Sequence, residues 1–112
     1  MTKERTTIAS HIKGYEHPII LSRNDKIIIK EWGDSQLWVW GVNERQQEGW
    51  IPINILEIND DEAITLKDYD ATEMTIGIGE TVHILEENSG WYWCENTNGE
   101  QGWIPVSCFS AD

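Results

Sequence analysis

The chain has 112 residues, 39% of them hydrophobic, and carries 20 carboxylates against 8 lysines and arginines, for a formal net charge of -12. Its length alone suggests one domain, and its apolar content and lack of low-complexity tracts predict that it folds. The acidity opposes binding to nucleic acid phosphates or anionic lipid, and no apolar run approaches the roughly 18 residues that a membrane span requires.

The opening segment, MTKERTTIAS, is charged and leads into no apolar signal core. The expectation is a cytoplasmic protein without a secretory leader, whose two cysteines, Cys94 and Cys108, stay reduced. Residues 13–32, KGYEHPIILSRNDKIIIKEW, end in a β-branched run of strand length at KIIIKEW. A turn at GDSQ leads to a second strand at WVWGV. EGWIPI forms a third, entered through glycine and stopped by proline. The segment INDDEA (58–63) is short and polar and reads as a joint.

The pattern then recurs. LWVWGVNERQQEGWIPINIL (37–56) aligns without a gap on GWYWCENTNGEQGWIPVSCF (90–109), so Trp38 matches Trp91 and Trp40 matches Trp93. Upstream, KGYEHPIILSRNDKIIIKE answers KDYDATEMTIGIGETVHILEE (67–87), with Tyr15 on Tyr69. The chain therefore reads as two homologous units, 9–58 and 63–112. No segment of ten residues has helical apolar spacing, so each unit is expected to be all-β, a string of short antiparallel strands closing into a small barrel or sandwich. Units this small bury little core, which predicts that the two pack together or that the protein dimerises. The charge is uneven along the chain: residues 1–58 carry -1 and residues 59–112 carry -11. Such a half attracts a basic partner.

The order of motifs in 66–109 resembles the Src homology 3 (SH3) domain: Leu66, Asp68 and Tyr69, then Met74 and Ile76, Gly79-Glu80, Trp91-Tyr92 and Gly102-Trp103-Ile104-Pro105. The first unit resembles it more loosely through Tyr15, Ile19, Leu21, Asp25, Trp38, Gly41, GWIP and Asn54. The chain is thus similar to tandem SH3-like domains, such as the variant SH3 domain proteins of bacteria. The resemblance implies two five-stranded small barrels that bind proline-rich peptides between aromatic ridges. A preformed polyproline II helix loses little entropy on docking there, and a carboxylate beside the groove pairs with a flanking basic residue.

Carried over residue by residue, the resemblance assigns peptide binding to Tyr69, Trp91, Trp103 and Pro105 in the second unit. In the first it assigns Tyr15, Trp38, Trp50, Pro52 and Asn54. The family's first motif tyrosine is Lys13 or Lys67 here, and its closing tyrosine is Ile55 or Cys108. The loop after the opening motif is also short, with DATE (70–73) or EHP (16–18) in the place of a longer acidic loop. Asp70, Glu73, Glu86 and Glu87 are the candidates to replace its specificity pocket. A remodelled groove is the expectation.

Alternation along the strand puts Trp91 and Trp93 on one face and Tyr92 and Cys94 on the other, and the resemblance implies that Cys94 and its counterpart Gly41 are small because they face the core. Trp40 and Trp93 then form an apolar surface to be covered by the other unit, a second chain or a ligand. His11, His17 and His83 have no metal-ligand spacing, Cys108 lies in the inherited binding region without a partner base, and GIGETV (77–82) precedes no helix. No enzyme, cofactor or metal site is expected. The reading is a protein-interaction module, a scaffold for a basic and proline-containing peptide. The alternatives are an assembly module packing through Trp40 and Trp93, a cell-wall peptide binder, and an acidic mimic of nucleic acid.

Overall fold

The computed structural model describes residues 3–110. Its strands are β1 (Lys3–Thr6), β2 (Ile20–Leu21), β3 (Lys26–Trp32), β4 (Trp38–Asn43), β5 (Glu48–Pro52), β6 (Leu56–Asn59), β7 (Glu62–Thr65), β8 (Tyr69–Asp70), β9 (Thr81–Asn88), β10 (Trp91–Glu95) and β11 (Gln101–Pro105). The only helical elements among the described residues are two single 3-10 turns, Ile53–Ile55 and Val106–Cys108. The fold is all-β, as the periodicity predicts.

The chain divides into two compact units. One is continuous, His17–Ala71, and the other is split between Met1–Glu16 and Thr72–Asp112. These units and the sequence repeat cut the chain differently: residues 9–16 fall in the split unit and residues 63–71 in the continuous one. The charge, lopsided along the chain, divides evenly between the units. Eleven carboxylates face five cations in the continuous unit and nine face three in the split one, so each carries -6.

In the continuous unit the five-stranded sheet runs β5-β4-β3-β7-β6, and β2 pairs with β8. All pairings are antiparallel. The alternation in KIIIKEW is realised: Ile27 and Ile29 are buried and Ile28 is exposed. Val39, Ile51, Ile55, Leu56 and Ala63 are also buried. Gly41 is small for a steric reason, since a Cβ there would lie 2.5 Å from Ile27 Cγ2 and 2.9 Å from Ile51 Cδ1. The expected joint, residues 58–63, forms a tight hairpin. Ile58 pairs with Ala63 and Asn59 with Glu62, and Asp60 takes a left-handed φ of 59° at the turn.

The split unit has the sheet order β1-β9-β10-β11. Met74, Ile76, Val82, Cys94, Ile104, Cys108 and Phe109 form its core, with Ala9, Ile84 and Tyr92 packed against it. Tyr92 lies edge-to-face on Phe109 at 5.5 Å, which gives it a structural role. The two units repeat each other in detail. Each pairing of the second and third barrel strands shifts register at the same place, between Ile29 and Glu31 against β4, and between Trp93 and Cys94 against β9.

One buried hydroxyl anchors each unit. Thr65, 0% exposed, donates its Oγ1–H to the Ser22 carbonyl at 2.6 Å, with Asp25 O at 3.2 Å. Thr7, 2% exposed, donates to Gly77 O at 2.7 Å and accepts the Glu80 N–H at 3.0 Å. The backbone matches too. Thr65 N–H bonds Asp25 O and Asn24 N–H bonds Thr65 O, while Thr7 N–H bonds Glu80 O and Gly79 N–H bonds Thr7 O. Leu66 N–H to Ile55 O repeats as Ile8 N–H to Cys108 O.

Candidate functional site

In the split unit, Trp91 opens β10 and is half-buried, with Pro105 directly opposite on β11. The ring beside Trp91 is His11, at 5.4 Å and 81°, an edge-to-face pair. His11 Nε2 lies 2.8 Å from Glu73 Oε1, which also accepts the Gly14 N–H at 3.1 Å. Glu73, a candidate specificity carboxylate, is thus tied to the N-terminal segment. Sequence reasoning missed His11. The three histidines were weighed for metal-ligand spacing, which they lack, whereas the His11 imidazole stands beside the tryptophan. The available signal was a second alignment, TIASHI (7–12) on TLKDYD (65–70), which sets His11 against Tyr69.

Tyr69 itself lies in the continuous unit, where it pairs with Leu21. It is mostly covered, and Asp68 Oδ1 beside it accepts the Arg23 N–H at 2.9 Å. Tyr69, Asp68 and Asp70 line an open depression of about 320 Å³ with Ile20, Leu21 and Ser22. Asp68 was not among the expected site residues. Trp38, half-buried, sits opposite the buried Pro52 at the start of β4, as Trp91 sits opposite Pro105. Asn54 is exposed in its 3-10 turn, and Tyr15 is 40% exposed in the split unit. The structure therefore brings Trp91 and Pro105 together and Trp38 and Pro52 together. Tyr69 and Tyr15 lie outside the units that hold the partners expected for them.

The WxW tryptophans have cross-strand partners. Trp40 faces Trp50 in register, with rings 5.4 Å apart at 78°, and Trp93 faces Trp103, 5.3 Å apart at 66°. Each indole N–H is also used: Trp40 Nε1 donates to Glu48 Oε1 at 2.8 Å and Trp93 Nε1 to Gln101 Oε1 at 3.3 Å. Each such ring pair contributes about 0.5–1.5 kcal/mol beyond its area burial. Trp40, Trp50 and Trp93 are half-buried and Trp103 is only 7% exposed. Trp50 and Trp103, assigned to peptide binding by the resemblance, thus cover Trp40 and Trp93. Glu86 and Glu87 are exposed on β9, opposite Trp93 and Tyr92.

Cys108, expected near a binding surface, is buried at 3% exposure, and Cys94 is fully buried. Burial pushes the Cys94 thiol up to about 12 and raises that of Cys108 as well. Both stay protonated at neutral pH, and a thiol in that state is a poor nucleophile and metal ligand. Among the described residues, no cluster of histidine, cysteine or carboxylates is grouped to hold a metal ion, and no helix is long and apolar enough to cross a membrane.

Residues 63–110 match the variant SH3 domain family. The mouse SH3 and PX domain-containing protein 2B is 27% identical over 70 residues, 60% of this chain and 8% of that protein. The human protein of the same name is 36% identical over 42 residues, covering 38% of this chain and 5% of its own length. The mouse SH3 and PX domain-containing protein 2A is 33% identical over 45 residues, covering 40% and 4%. The chain thus spans less than a tenth of these relatives. No solved structure matches it. SH3 domains are protein-interaction modules, and the match supports that general class for this chain.

Proposed function

We propose that the chain is a non-enzymatic scaffold module of two SH3-like halves that binds a basic, proline-containing peptide segment in the cytoplasm. The observation that carries this reading is the open depression in the continuous unit, where Tyr69 is flanked by Asp68 and Asp70. An aromatic wall suits a proline ring, and the two carboxylates suit an arginine or lysine beside it. The charge of -6 on each unit supports a basic partner and predicts binding that weakens with salt. Trp38 with Pro52, and Trp91 with Pro105, are the proposed proline-contacting ridges. Trp40 and Trp93 already rest on Trp50 and Trp103, which favours peptide binding over assembly through those rings.

The experiment is a tryptophan-fluorescence titration of the whole chain with an arginine-flanked Pro-x-x-Pro peptide. Asp70→Asn is expected to weaken binding about tenfold, the order expected for loss of one charge-assisted contact. Absence of binding, or affinity indifferent to both Asp70→Asn and added salt, would refute the proposal.

A further inference from the structure

We propose that the two repeats exchange their leading strands, so that each barrel is completed by the segment that leads the other repeat. The first piece of support is the equivalence of Thr7 and Thr65. Thr7 precedes the first repeat, yet its backbone and hydroxyl bonds go to Gly77, Gly79 and Glu80 of the second. Thr65 belongs to the second repeat, yet it makes the corresponding bonds to Ser22, Asn24 and Asp25 of the first. Three residues earlier, β1 pairs Glu4 with His83, and β7 likewise pairs Glu62 with Ile28. Four residues after each threonine, His11 bridges Ile76 while Tyr69 pairs with Leu21. These three positions, at a constant spacing of 58 residues, therefore map onto each other with the partners crossed.

The short loop supplies the cause. To close on its own repeat, Tyr69–Asp70 would have to fold back onto Thr75–Ile76. But Thr72–Met74 already runs extended along β11: Trp103 N–H bonds Thr72 O, Met74 N–H bonds Trp103 O, and Glu73 pairs with Trp103 in parallel. Only Ala71 remains for the reversal, and a hairpin turn needs at least two residues. Gly102 fixes this arrangement, since a Cβ there would lie 2.9 Å from Met74 N and 3.0 Å from the Glu73 carbonyl carbon. Tyr69–Asp70 is therefore sent to β2. With β2 occupied, the first repeat's own leading segment goes to Ile76. The consequence for the binding surfaces is direct: the ring beside Trp91 is His11, supplied from the start of the first repeat.

The test uses the full chain with a protease site inserted between Asp60 and Asp61. Strand exchange predicts that the cleaved chain still elutes as one species of unchanged size, because each fragment holds a strand of the other's barrel. Elution as two folded fragments would overturn it. A cross-link distinguishes strand exchange from simple adhesion of two closed barrels. Glu4→Cys with His83→Cys is expected to form a disulfide within one chain, holding the cleaved fragments together under denaturing, non-reducing conditions. Glu4→Cys with Ile28→Cys, the pair that self-closure would bring into register, is expected to leave both thiols free to alkylate. A disulfide in the second pair and none in the first, or a first-pair disulfide that forms only between two chains, would overturn the proposal.

Discussion

The two anchoring threonines are chemically alike, but their loss should cost different amounts. In Thr65→Val the hydroxyl disappears with little change of shape. The carbonyls it served keep other donors: Ser22 O accepts the Asp25 N–H at 3.0 Å, and Asp25 O accepts the Thr65 N–H at 3.0 Å. The change forfeits one net hydrogen bond, about 1 kcal/mol, partly offset by the buried methyl. In Thr7→Val the oxygen is also the acceptor for the Glu80 N–H at 3.0 Å and the donor to Gly77 O at 2.7 Å. Stripping partners from both sides of a part-buried turn adds a desolvation cost of about 1–3 kcal/mol to the lost bond, so the total is about 2–4 kcal/mol. Urea unfolding followed by tryptophan fluorescence, with both variants at matched concentration, measures the difference. A lower midpoint for Thr7→Val than for Thr65→Val at equal slope is expected. Equal midpoints, or the reverse order, would show that the hydroxyl accounting is mistaken.

Cys94 gives a pH prediction. Its thiol is ordinary, near 9.0, when unfolded and is pushed up to about 12 when buried. Stability from keeping it neutral is complete below pH 9 and is lost as pH rises from there toward 12, at about 1.4 kcal/mol per unit and about 4 kcal/mol in all. Alkaline denaturation curves of wild type and Cys94→Ala should converge between pH 9 and 12, and parallel curves would contradict the assignment. Gly102→Ala should cost about 1–3 kcal/mol, because backbone atoms of Glu73 and Met74 must shift. Gly99→Ala, at φ 83° with nothing within 4 Å, should cost about 1 kcal/mol. Thermal melts of the two variants compare them, and an unperturbed Gly102→Ala would remove the steric argument. Trp93→Ala should lower stability by about 2–3 kcal/mol, less than truncating a fully buried tryptophan because the ring is half-buried, through loss of its Trp103 contact. It should leave peptide affinity unchanged, and an affinity loss at full folding would reassign that ring to binding.

Much of the fold was legible because strand alternation and turn residues are local. KIIIKEW, WVWGV and the two GWIP strands fall where their patterns put them, and both prolines end their strands. The core role of Gly41 and Cys94 followed from the family resemblance, with alternation placing Trp40 and Trp93 on the opposite face. What was not legible depends on long-range partner choice. Ala63 carries no mark that it will pair with Ile27, and a repeat read linearly assigns each leading segment to its own successor. The exchange of partners then displaces Tyr69 from Trp91 and brings in His11, a residue too unlike tyrosine to be matched on type. The cover of Trp40 and Trp93 was within reach, because the register of GWIP against WxW sets indole against indole. The lopsided charge misled for the same reason, since the acidic stretch 59–71 ends up in the continuous unit.

The most direct test of the interaction account is a nitrogen-15 NMR titration of the seven indole N–H groups with a basic proline-rich peptide. The account predicts progressive shifts at Trp38 and Trp91, while Trp40 and Trp93, bonded to Glu48 and Gln101, stay put. Shifts confined to Trp40 and Trp93, or none at saturating peptide, would contradict it.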